Sequence, residues 1–446
     1  MTAWLSLVLA ALPAWPSRGE DASTDKIVDF HGSHRARYER LAPQYRAGLG
    51  GSDTVLALQT SLVLEAKGER LSFLGEILDA RAELNDTDSV FGGVVNTLEP
   101  IQTHLTLRLD AGDGGAESSL RLGRMTIDLG KRRLLARSNF RQAVASFTGA
   151  DWQWQNARGT RARVFYVVPM RTMPDTPAEQ LDNDIELDRG ARDTALWGAY
   201  YLSAPRADRT QFELSFLMLD SPNGTGEFSP LDIGTLSARV FRPVPRGGFN
   251  YEVEAGIQRG ESTALQGNTQ RLLDHEAYYI HAEIGYAFDV AWTPNLLLQY
   301  DRASGDRDPT DARTERFNPL FGERRFDTGP TSIYGAFQRS NIATPGVRVT
   351  FNPAPHWRTM VAYRNFLLDA ARDAWVGSGW RDPTGQAGRS LGQQLETSFT
   401  WTAIPDRLSI ETGLAVVDSG RFAEQTAGAA FLGSPRYFYA AISTNF

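Results

Sequence analysis

Of the 46 basic residues in this 446-residue chain, only Lys26, Lys67 and Lys131 are lysines. Nearly all the positive charge is therefore guanidinium, a rigid fork of donors that matches a planar carboxylate two bonds at a time. A GC-rich coding sequence would enrich arginine in the same way, so composition alone leaves both readings open. The 53 acidic residues bring the net charge to -7, which excludes a broadly basic nucleic-acid binder. Other chemistries find no foothold. No nucleophile elbow, phosphate-binding P-loop, H-E-x-x-H helix or EF-hand string is present. The absence of cysteine removes disulfides, zinc-thiolate sites and thiol nucleophiles together. His31 and His34 form the closest histidine pair and lack a third ligand. Serine and histidine are available, as in most chains, but no spacing holds them together, so no enzyme, cofactor or metal is expected.

The elements that must position these arginines are legible as period-two alternation over runs of about ten residues, the length a tilted strand needs to cross a bilayer. From Thr54 to Ala66 the even positions read Leu, Leu, Thr, Leu, Leu, Ala, while Gln59, Ser61 and Glu65 fall on the odd ones. From Pro100 to Asp110 the odd positions Ile101, Thr103, Leu105, Leu107 and Leu109 are the apolar face. Thr210–Asp220 and His275–Phe288 repeat the pattern. Past the first few residues no apolar run is long enough for a spanning helix, so membrane residence requires a closed barrel. Projected inward, the wet faces collect Arg35, Arg37, Arg108, Arg161, Arg163, Arg239, Arg348, Arg358 and Arg364, with Glu65, Glu213, Glu252, Glu254, Glu283, Glu396 and Glu411. Such charges either pair to stiffen the wall or line a pore and select anions, and the two roles are compatible.

Short connections alternate with long ones along the chain, as bacterial barrels require of periplasmic turns and external loops. The count gives an all-β, antiparallel up-and-down transmembrane barrel of about 18 strands over residues 34–446. Residues 1–22 read as a signal peptide and 23–33 as a periplasmic tail. Long loops are expected at Asn85–Glu99, Gly130–Thr148, Arg171–Arg192, Ser221–Gly234, Glu261–Asp274, Gly305–Asn341, Asp369–Arg389 and Asp418–Pro435. Two patterns break: a phase change near Gly123, and Glu76 on what should be an apolar face. Trp152, Trp154, Trp292, Trp357 and Trp401 cluster near the short turns, as an aromatic girdle would. The last strand ends on Phe446 and resembles the signal read by the outer-membrane assembly machinery. The loop Gly130–Thr148 carries Lys131, Arg132, Arg133, Arg137 and Arg141, so a constriction built from it would be positive.

The run Leu122-Gly-Arg-Met-Thr-Ile-Asp-Leu-Gly-Lys-Arg-Arg-Leu-Leu-Ala-Arg-Ser-Asn-Phe-Arg-Gln142, followed by Ser146-Phe-Thr-Gly149, resembles the alginate export family of outer-membrane barrels. The later Arg316-Phe-Asn-Pro-Leu-Phe-Gly322 looks like that family's second motif, with Asn318 where an acid is usual. The resemblance implies an Arg-rich lumen that passes a polyuronate, with Arg124, Arg137 and Arg141 as contacts. It implies passive transport of an anionic polysaccharide, in the outer membrane, by a monomer in contact with outer-membrane lipid. A porin for acidic sugars or organic acids is the competing expectation, and a plugged structural or adhesin barrel a third.

Overall fold

The computed structural model describes residues 27–85, 93–109, 115–191, 193–222, 230–245, 247–266, 269–325, 327–427 and 433–446. The expected signal peptide lies outside them. Twenty strands are hydrogen-bonded among the described residues, of which Arg189–Gly190 and Arg313–Thr314 are two-residue bridges within loops. The other eighteen make the wall. They are β1 (Val28–Ala42), β2 (Asp53–Lys67), β3 (Leu71–Glu83), β4 (Asn96–Leu109), β5 (Glu117–Met125) and β6 (Phe147–Gln155). Next come β7 (Arg161–Arg171), β8 (Ala195–Leu202), β9 (Gln211–Ser221), β10 (Leu231–Arg242), β11 (Gly248–Gln266) and β12 (Thr269–Ala287). The set closes with β13 (Asn295–Ala303), β14 (Ile342–Phe351), β15 (Trp357–Leu367), β16 (Ser390–Ile404), β17 (Leu408–Ser419) and β18 (Arg436–Asn445).

Each strand pairs antiparallel with the next, and β1 pairs with β18 from Ser33↔Asn445 to Ala42↔Arg436, so the sheet has no edge. The alternation decides which side each residue takes. Leu62, Leu64, Leu105, Leu107, Phe212, Leu214, Ile280, Ile284, Phe438 and Ile442 point out and are exposed, as lipid-facing residues are. The alternate positions point in, and many of them are buried although polar: Glu252, Glu254, His281 and Glu396 are examples. At the short-turn rim Trp357 lies 5.8 Å from Trp401 and Trp292 stacks 6.2 Å from Phe351, ring centre to centre, which places the expected girdle there.

Three expectations need correction. The first strand starts at Val28 rather than His34, because Asp29 and His31 keep the alternation and pair with Glu65 and Val63. The loop expected at Glu261–Asp274 is strand: β11 and β12 pair out to Gln266↔Thr269. Beyond the hydrocarbon both faces of a hairpin can be polar, and that polarity reads as loop. Ile101 faces inward against Leu78 and Val144, because the β3–β4 register shifts between Glu76 and Ala80 and reverses the phase of β4 upstream. The suspected break at Gly123 is no shift of register, since β5 pairs continuously with both neighbours through it; Met125 turns into the internal cluster, and Gly123 takes a φ of +128° where a Cβ would sit 2.4 Å from the Thr103 carbonyl oxygen. Glu76 faces the lumen, where it is buried and takes bonds from loop and wall alike.

Hydrophobic packing lies inside the cylinder. Leu129, Leu134, Leu135 and Phe140 of the 126–146 connection share one cluster with Phe317, Ile333, Tyr334 and Phe337 of 304–341 and with Trp375 of 368–389. Wall residues Val55, Phe165, Leu217, Tyr279, Phe366 and Tyr437 complete it. Three long connections therefore fold into the barrel mouth and fill it. The helices α1 (Pro177–Leu181) and α2 (Arg421–Ala427) sit in connections on the same side, and no described helix is long and apolar enough to cross a membrane.

Candidate functional site

The two sequence motifs meet in the lumen. Leu135 and Phe321 form a parallel bridge, with Phe321 N–H donating to the Leu134 carbonyl (3.1 Å) and Ala136 N–H to the Phe321 carbonyl (3.1 Å). Glu323 N–H donates to the Arg132 carbonyl at 2.7 Å. Gly322 allows this approach, since any Cβ there would fall 1.8 Å from the Arg133 carbonyl oxygen. Asn318, in place of an acid, turns its side-chain oxygen onto Leu320 N–H at 2.9 Å, a task either residue can perform. The constriction is thus a two-loop plate rather than one loop.

Several of the arginines expected to line the pore hold this plate to the wall, and others pair within the wall itself. Arg137 of the first motif binds Glu76 through both Nη atoms at 2.7 and 2.6 Å. Arg163 binds Asp151 and the Asp128 carbonyl, Arg239 binds Glu213 and Glu252, and Arg364 binds Asp301 at 2.9 Å and Gln299 at 3.0 Å. Arg37 binds Glu39 and the Phe140 carbonyl, while Glu39 also receives Ser332 Oγ at 2.8 Å. Arg124 is enclosed by Glu99, Asp188 and Ser146. Arg108 lies apart at the short-turn mouth, donating to the Glu69 carbonyl at 3.3 Å. Arg161 and Arg348 lie on the wall, and the Nε atom of Arg161 is buried without a hydrogen-bond partner among the described residues.

Sequence reasoning put Arg133 in the constriction loop but missed Arg339 and the carboxylates that the two share. Arg133 reaches Glu252, Glu254 and Asp327 together, and Arg339 also binds Asp327. Burial alone would raise the Asp327 carboxyl, yet Arg133, then His281 and Arg339, hold it well below the usual carboxylate range. His281 Nδ1 is 2.6 Å from Asp301 and 3.9 Å from Asp327, the spacing of a possible metal-ligand trio. Those carboxylates already face Arg133, Arg339 and Arg364, so a cation there would compete with three guanidinium groups.

Arg46, Arg141 and Arg324 make a different kind of group. Arg46, just beyond β1, donates to the carbonyls of Ile333 and Tyr334 at 2.8 Å each. A Cβ on Gly335 would stand 2.8 Å from Arg324 Nη2 and 3.6 Å from Arg46 Nη2, so the two guanidinium groups flank one glycine. Burial, then the nearby Arg141, and also Arg46 and Arg339, push Arg324 down to about 9. A guanidinium so depressed is short of counter-charge, and an arriving carboxylate would supply it. The Arg324-Arg325 pair follows the second motif with only Glu323 between, which was the available signal in the sequence.

A family model described as alginate export matches residues 26–432. Among solved structures, the chain is similar to Pseudomonas aeruginosa OpdQ (12% identity, TM-score 0.56, 94% of this chain and 99% of that one). It is also similar to Acinetobacter baumannii OccAB1 (10% identity, TM-score 0.59, 94% and 96%) and OccAB2 (12%, 0.59, 94% and 98%). These likenesses concern the barrel alone. Comparison with curated proteins finds no match.

Proposed function

The chain belongs to the alginate export family of the bacterial outer membrane, and from that membership we propose that it is a passive export channel for an anionic polysaccharide, alginate or a related polyuronate. The observation that carries the proposal is the crowding of Arg46, Arg141 and Arg324 at the loop-side mouth. Guanidinium forks there would replace the hydration lost by each carboxylate as a chain enters the constriction. Arg161 and Arg108 along the wall would offer further weak contacts, so that a polymer slides rather than sticks. Arg37, Arg124, Arg137 and Arg163 act in this proposal as anchors that keep the plate in place, while Arg239 and Arg364 tie neighbouring strands of the wall. No step needs an energy source or cofactor.

The test is calorimetric titration of the purified barrel with uronate oligomers of increasing length at low salt. Affinity that rises with length and drops about tenfold in Arg324→Gln supports the polymer channel, since one charge-assisted contact is worth about 1.5–3 kcal/mol. A monomeric uronate binding as tightly as the oligomers would favour the small-solute porin. Affinity indifferent to both length and Arg324 would leave the extensive wall pairing as the mark of a structural barrel.

A further inference from the structure

The membrane-facing surface also carries arginines at its loop-side rim, and their pairing differs from place to place. Arg81 on β3 is held by Asp79, with Nε 3.0 Å from Oδ2. Arg259 on β11 is held by Glu276 of β12, and Arg302 on β13 by Asp369 at 2.6 Å. Arg40 on β1 and Arg436 on β18 are both exposed, and among the described residues their guanidinium groups have neither a carboxylate nor a hydrogen-bond partner. They lie on the same outward face at the seam that closes the barrel, where Arg40 is opposite Phe438 and Ala42 is opposite Arg436. The two arginines are thus diagonal neighbours, with backbones about 7–8 Å apart.

Between them is a cavity of about 500 Å³ lined by Arg40, Ala42, Pro43, Ser434, Arg436 and Phe438. Two cations and a hydroxyl stand over an apolar floor at the level where β1 ends and the external connection begins. An unpaired guanidinium beside hydrocarbon is unfavourable unless an anion accompanies it. The anions available at that height are the phosphates of the outer-leaflet glycolipid, whose acyl chains would lie along Phe438 and the seam below.

We propose that Arg40 and Arg436 form a binding site for a phosphate group of lipid A, which bridges the first and last strands from outside. The site is separate from the lumen, and its failure would leave the channel reading intact.

The experiment is native mass spectrometry of the purified full-length barrel in detergent with added bis-phosphorylated lipid A, beside the same lipid stripped of phosphate. The expected result is a retained lipid A adduct that falls roughly tenfold or more in the double variant Arg40→Gln/Arg436→Gln, two surface cations being removed, while Arg259→Gln retains it. Equal retention of the phosphorylated and phosphate-free lipids by the natural protein overturns the proposal, and that arm needs no variant to fold. Retention by the double variant equal to that of the natural protein also overturns it, as does binding of inorganic phosphate without lipid A.

Discussion

Arg133 serves three carboxylates from a loop position, and its removal would leave Glu254 without a guanidinium partner and Glu252 and Asp327 with only Arg239 and Arg339. Breaking a buried pair by deleting one partner costs about 3–5 kcal/mol, so Arg133→Ala is expected to lower the temperature at which the barrel loses its heat-modifiable gel mobility. A larger loss than in Arg324→Ala distinguishes the anchor from the crowded cation, and equal losses would contradict that division. Asp188 gives a pH prediction. Burial and then Glu99 raise its carboxyl from 3.8 to about 6, against the pull of Arg124. The folded state therefore binds more protons than the unfolded one between about pH 4 and 6, and stability falls as pH rises through that window. Asp306, raised to about 6 by burial and Asp373, adds a slope of the same sign. Asp188→Asn should flatten the slope without abolishing it, and an unchanged slope in thermal unfolding from pH 4 to 7 would show the group to be uninvolved. At this scale the sequence was partly legible. Alternation put Arg239 and Arg364 on the inner face, but nothing in one dimension says which carboxylate a long side chain will meet. Arg46 and Arg324 lie on connections, where no periodicity assigns a face.

The 126–146 and 304–341 connections act as one element because their backbones join at Leu135 and Phe321. Gly322 is the tightest point of the join. Gly322→Val should part the two loops and raise single-channel conductance while leaving the strands in place, which circular dichroism can verify. Unchanged conductance with unchanged thermal stability would mean that the contact does not hold the constriction. The strands themselves were legible because lipid on one side and a polar lumen on the other impose a strict period of two. The reading failed where that contrast disappears. At the end of the β11–β12 hairpin the sequence loses its strict alternation, and near Glu76 a register shift exchanges the faces. The length of the two inward loops signalled a role, but their contact with each other joins residues almost two hundred positions apart and leaves no local trace.

As a whole the molecule is a closed cylinder whose interior is occupied by its own external connections. Closure brings Phe446 onto Gly32, with two backbone bonds of 2.8 and 3.0 Å between them. The terminal ring lies where a Gly32 side chain would stand, 2.7 Å from the position of its Cβ, so Gly32→Leu should slow assembly of the folded barrel in a refolding time course. Assembly at the natural rate would show that the ring can move aside. Strand number, girdle and termini on the short-turn side follow from the alternation of turns and loops, so the architecture was the most legible part of the sequence. Whether the filled lumen conducts depends on its loops, and single-channel recording in planar bilayers under a salt gradient tests that directly. The account predicts a small anion-selective current, blocked by uronate oligomers more strongly than by monomers and relieved of block in Arg324→Gln. A current without anion preference or oligomer block, or no current at all, would contradict it.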